Sequence, residues 1–140
     1  MITPHITKRI ARINGKKTIF RSNQSWHELD GKRIFFRSDW EYKFALHLQS
    51  LKSLGAIQDW DHEPQTFWFN AIKRGVRSYL PDFKVTNLDG SWYFVEVKGY
   101  MDAKSRTKIK RFRKYYPDEQ LIVIDKEWFD KHGVSTWKKE

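Results

Sequence analysis

Trp40, Phe44, Leu48 and Leu51 recur at three- and four-residue steps behind Ser38, and Gly55 ends the run. Apolar positions so spaced share one side of a helix, which predicts a helix over residues 39–54. Ser38 with Glu41 three residues on forms the S-x-x-E capping box that starts such a helix. Downstream the period changes to two. In "SWYFVEVKG", Trp92, Phe94, Glu96 and Lys98 alternate with Tyr93, Val95 and Val97, so the two sets occupy opposite faces of a strand. "IQDWDHEP" reads as a turn into a strand "QTFWFNAI", "KRGVR" as a basic hairpin-like turn into "SYLPDFKV", and "TNLDG" as the turn before "SWYFVEVKG". "DAKSRTKIKRFRKYY" opens on Asp102 as N-cap and carries Ser105, Ile109, Phe112 and Tyr116 along one face. After Pro117, "QLIVI" is continuously apolar, as buried strands are, and "KEWFDKHG" reads as a last helical turn. The order helix, three strands, helix, strand predicts an α/β (α+β) chain with a mixed central sheet flanked by helices.

Ahead of this core, "GKKTIFRS" from Gly15 and "GKRIFFRS" from Gly31 are near duplicates. They read as two short strands, each entered from a Gly turn, or as a basic arm lying against a phosphate backbone. Residues 1–33 are therefore set apart as an arm or hairpin, and residues 34–140 as the main domain.

Composition narrows the function. Lys and Arg outnumber Asp and Glu by 27 to 17, a formal charge of +10 spread over the chain, which points to a polyanionic partner. Seven Trp and 16% aromatic residues separate the chain from disordered basic tails. The absence of Cys excludes disulfides and thiolate metal sites, and no apolar run approaches membrane-spanning length. The expectation is a cytoplasmic protein.

Asp82 and Glu96 stand where strands prefer apolar residues. A short turn joins their strands, which makes them antiparallel neighbours with Asp82 in reach of Glu96, and Lys98 shares the Glu96 face. Two carboxylates, the Val97 main-chain carbonyl, water and a phosphate oxygen can complete the octahedral shell of Mg²⁺ or Mn²⁺. Such a centre hydrolyses phosphodiesters, with Lys98 orienting water or neutralising developing charge. Spacing alone is weak: Glu41-Tyr42-Lys43 repeats the E-x-K pattern on a helix, where residues two apart do not face each other. A surface ion pair is the other reading of Glu96 and Lys98.

"LPDF", followed 14 residues after Asp82 by "VEVKG", resembles the PD-(D/E)xK nuclease superfamily. "FRSDWEYKFALHL", "WDHEPQTFWF", "SYLPDF" and "YFVEVKGY" together are similar to its small phage endonucleases, which resolve Holliday junctions, and to its transposase endonuclease subunit. The resemblance spans about residues 34–125. It implies a restriction-endonuclease-like core, a DNA substrate, and Asp82, Glu96 and Lys98 as the catalytic motif. Glu41 matches the acid such relatives place on the first helix, as a further catalytic and metal-binding carboxylate; its other role is the capping box. Glu63 reads as a solvated turn carboxylate or an additional ligand, Gln65 has no stronger case, and His62 reads as a polar turn residue.

Lys104, Arg106, Lys108, Lys110, Arg111, Arg113 and Lys114 form a one-signed run after the motif. It reads as a phosphate-backbone surface, widened by Lys73, Arg74 and Arg77. No base-reading module is evident. The expected activity is therefore a structure-selective endonuclease of phage type, acting as a homodimer on branched DNA. The alternatives are a subunit targeted by a partner protein in transposition, packaging or restriction, and a catalytically silent nucleic-acid-binding domain of the same fold.

Overall fold

A computed structural model describes residues 5–13 and 16–132, with side chains from residue 24 onward. The chain runs β1 (His5–Ile13), β2 (Lys16–Leu29), β3 (Lys32–Phe36), α1 (Asp39–Ser53), β4 (Asp59–His62), β5 (Phe67–Trp68), β6 (Ser78–Tyr79), β7 (Phe83–Thr86), β8 (Trp92–Val97), α2 (Ala103–Tyr115), β9 (Leu121–Ile124) and α3 (Lys126–Lys131). It is an α/β fold. The central sheet has the order β4-β7-β8-β9, antiparallel except for the parallel pair β8 and β9, which α2 connects.

The alternation along β8 sorts its side chains between two cores. Val95 and Val97 face α1, where Phe44, Ala45 and Leu48 pack with Phe36, Phe83, Val85 and Phe129. Phe94 faces α2 and meets Phe112, Phe67, Phe69 and Tyr79. Phe112 is 0% exposed; burying one such ring contributes about 1.5–3 kcal/mol. Ser38 Oγ accepts from Glu41 N at 3.2 Å and Asp102 Oδ1 from Ser105 N at 2.7 Å, so both long helices start where their caps predict.

Two expectations change. The strand beside β7 is Asp59–His62, within the expected turn, while "QTFWFNAI" contributes only Phe67–Trp68, paired with Ser78–Tyr79 in a separate ladder. Trp60 carries β4: it is 4% exposed, and its indole N–H donates to Gln49 of α1 at 2.9 Å. "SYLPDFKV" is correspondingly two strands interrupted at Pro81-Asp82, where proline has no N–H to give a ladder.

At the N-terminus β1, β2 and β3 form an antiparallel meander, with β2 a single strand of 14 residues. Gly15 lies outside the described residues. Asp30 and Gly31 turn β2 into β3 with φ of 54° and 72°, both positive as a type I′ turn requires. The break between positions 33 and 34 falls inside β3, and Leu29 and Ile34 pack on the α1-side core, so this end of the hairpin joins the main domain. Among the described residues no helix is long and apolar enough to cross a membrane.

Candidate active site

The register Phe83↔Val95, continued by one residue, sets Asp82 opposite Glu96. Asp82 Oδ2 accepts from the Val97 amide at 2.7 Å, a bond that ties the residue before β7 to the end of β8. Glu96 is 6% exposed. Its Oε2 accepts from the Tyr79 hydroxyl at 2.6 Å, and its Oε1 lies 3.3 Å from Lys98 Nζ. The small β5–β6 ladder thus has a use at the site: it holds the Tyr79 hydroxyl against Glu96. Burial first, and the Glu96 charge second, push the Tyr79 phenol far up, so it stays a donor at any ordinary pH. Its sequence context offers no sign of this, because an aromatic on a strand reads as core.

Burial raises the Asp82 carboxyl well above its ordinary range, and the nearby charges of Glu96 and Glu41 raise it further against the Val97 amide and Lys98. Glu96 is raised for the same first reason, with Tyr79 and Lys98 opposing and Glu41 adding. Two desolvated acids facing each other are relieved by a divalent cation, and their hard oxygens suit Mg²⁺ or Mn²⁺. Among the described residues no three His, Cys, Asp or Glu side chains gather into a metal-holding group. A cation here would draw on Asp82, Glu96, the Val97 carbonyl, water and substrate oxygens; the Glu41 carboxylate meets the Arg37 amide and His62.

A carboxyl whose folded pKa is raised lends stability that is present at low pH and lost as pH climbs through that raised value. The metal-free protein should accordingly melt lower as pH rises above about 4, the unfolded carboxyl value, through this window. Asp82→Asn should flatten that part of the profile, and Mg²⁺ should raise Tm more at pH 8 than at pH 5. Melting curves in EDTA and in Mg²⁺ across pH measure both; parallel profiles for wild type and variant would remove Asp82 from the account.

Glu41 serves two ends. Its amide is capped by Ser38, yet its carboxylate does not return to Ser38: Oε2 accepts from Arg37 N at 3.4 Å and lies 3.3 Å from His62 Nε2. His62 is not a turn residue. It ends β4 with its ring packed on Phe36 and Phe83, centres 4.9 and 5.3 Å apart. Glu63 adopts φ of 46°, a left-handed conformation uncommon outside glycine, while its N–H donates to the Asp82 carbonyl at 2.7 Å. Its carboxylate is held by Arg37 Nε at 2.8 Å, an ion pair in place of a lone solvated acid. Gln65 is exposed.

The basic surface is real but its members differ. Lys104, Arg106, Lys110 and Lys114 are exposed on α2, and Lys108 is half-buried. Arg111 donates to the Val76 carbonyl and Arg113 to that of Leu121 at 3.3 Å, so these two guanidiniums hold backbone. Lys73, Arg74 and Arg77 are exposed on the connection between β5 and β6. A groove of about 320 Å³ between Ile72 and the Lys110, Arg111 and Lys114 side of α2 joins loop and helix into one surface.

No curated protein and no solved structure matches the chain. A family match does exist, over residues 21–130, which takes in β3 to β9, both long helices and every acid described above. On that match the chain belongs to the family described as "Protein of unknown function (DUF1064)".

Proposed function

We propose that the chain is a metal-dependent endonuclease that hydrolyses phosphodiester bonds in DNA, selective for branched or junction substrates. The observation that carries this reading is the pair of acids, Asp82 and Glu96, set opposite each other at the β7–β8 boundary with Lys98 on Glu96. A structural ion pair needs one acid and one base. A second, half-buried acid opposite the buried first one costs stability unless a cation joins them. The resemblance of "LPDF" and "VEVKG" to the PD-(D/E)xK motif agrees with that chemistry.

A bound Mg²⁺ or Mn²⁺ would supply neutralisation of the phosphate and acidification of a water. The chain's own groups do the rest. Asp82 and Glu96 would hold the cation, and the Val97 amide and the Tyr79 hydroxyl fix their carboxylates, so little reorganisation is required when substrate arrives. Lys98, 29% exposed at its side chain, keeps N–H donors open toward a water or the phosphate while it contacts Glu96. Exposed cations on α2 and the 73–77 loop bind backbone phosphates without reading bases. A symmetric dimer would bring two such sites to the two strands of a junction.

The test is cleavage of labelled four-way junction, flap, single-stranded and linear duplex DNA in Mg²⁺, in Mn²⁺ and in EDTA. The expected result is metal-dependent cutting, faster on the branched substrates. Equal rates on junction and linear duplex would reject the selectivity. DNA binding without cutting in either metal would reject the stand-alone enzyme.

A further inference from the structure

Between the β2–β3 hairpin and β4 runs a groove of about 480 Å³, the size of sites that take a nucleotide-sized group. At its outer end stands Trp26, 44% exposed, with its ring centre 5.3 Å from that of Phe35 and the Arg33 guanidinium 5.0 Å over its ring. Its inner end is walled by His62 and Glu63, and the Glu63 amide bonds the carbonyl of Asp82. The groove therefore runs from an aromatic platform to His62 and Glu63, which contact the Glu41 carboxylate and the Asp82 main-chain carbonyl. Two of its three acidic walls are already matched, Asp30 by Lys52 and Glu63 by Arg37, with Asp61 the third. Lys32, Arg33 and Arg37 line the same groove as exposed cations.

A large exposed ring with a cation over it, in a groove where Lys32 and Arg33 stand beside it, is an arrangement on which unpaired bases stack. The volume suits a base and its sugar; a paired duplex is too wide for it. We propose that this groove takes an unpaired stretch of the nucleic-acid substrate, one base stacking on Trp26 and the backbone meeting Lys32 and Arg33, and delivers the adjoining phosphate to Asp82 and Glu96. The inference rests on the nuclease reading for its direction and on the groove alone for the binding. It names a substrate feature that a fully paired junction lacks: nucleotides without partners beside the cut.

Binding is measured in EDTA, where no cleavage is needed, with a flap DNA carrying 2-aminopurine in its unpaired arm and with a blunt duplex of the same length. Wild type, Trp26→Ala and Trp26→Phe are compared. Trp26→Ala should weaken flap binding roughly 5- to 100-fold, the value of one stacked base, and leave duplex binding unchanged, while Trp26→Phe retains most of the affinity. The 2-aminopurine emission should be quenched on wild type and not on Trp26→Ala. An equal loss on flap and duplex, or no loss on either, overturns the site. The two readings fail separately: Trp26-dependent flap binding by a protein that never cuts keeps the groove and rejects the nuclease, and cutting with Trp26-independent binding does the reverse.

Discussion

Glu96→Gln should lower the metal-dependent cleavage rate by about a thousandfold or more, the several kcal/mol that a polarising cation supplies, while the metal-free protein stays folded. The amide matches the carboxylate in size and keeps an oxygen to accept from Tyr79, so the 2.6 Å bond has a partner in the variant. What disappears is the Glu96 charge, and with it the 3.3 Å contact to Lys98 and the repulsion that adds to burial in raising Asp82. The variant in EDTA at pH 8 should therefore melt no lower than wild type, and the Mg²⁺-dependent rise in Tm should shrink. Single-turnover cleavage and melting on the same preparations give the answer. A purely structural Glu96 predicts the opposite pair: lower melting, with activity falling only as far as the folded fraction does. Asp82→Asn should lose the same chemistry. Asp82 accepts from the Val97 amide at 2.7 Å, and Asn keeps an oxygen for that bond as Gln does for Tyr79, so the two amide variants test the two carboxylates on equal terms.

The period-two alternation of β8 is enough to put Glu96 and Lys98 on one face and the valines on the other, because a strand buried on both faces leaves its pattern in the sequence. The caps at Ser38 and Asp102 are equally legible, since capping is decided within one turn. Non-local partners are not. "DWDH" looks like a turn because only Trp60 needs to be buried on an edge strand, and its pairing with Lys84 and Val85 joins positions more than twenty residues apart in the chain. "QTFWF" has the higher β-propensity, yet Phe67 and Phe69 spend it on packing around Phe112 and Tyr115. His62 reads as a turn residue for the same reason, its burial resting on Phe36 and Phe83 from two other elements. Tyr79 carries no local mark, for its role depends on meeting an acid 17 residues away on another strand.

The one-signed run on α2 hides a similar division, and its removal gives the second large effect. Replacing Lys73, Arg74, Lys104 and Lys110 together by Gln should weaken binding to DNA of any sequence, and should make the slope of log K against log salt shallower by about 0.9 for each phosphate no longer neutralised. Four such phosphates amount to a slope change of roughly 3.6, so the gap between wild type and variant should close by about a hundredfold between 50 and 200 mM salt. Arg111→Gln is the control on the same helix. Its guanidinium is bound to the Val76 carbonyl and lies against Gly75, so the substitution removes a charge-assisted bond that orders the β5–β6 connection. That should lower stability by about 1.5–3 kcal/mol and leave the salt slope nearly as it was. Titrations at several salt concentrations, with melting curves alongside, sort the seven α2 cations by what they touch. A slope unchanged in the fourfold variant would mean that the exposed lysines and arginine are a solvated face, and that the polyanion is met elsewhere on the molecule.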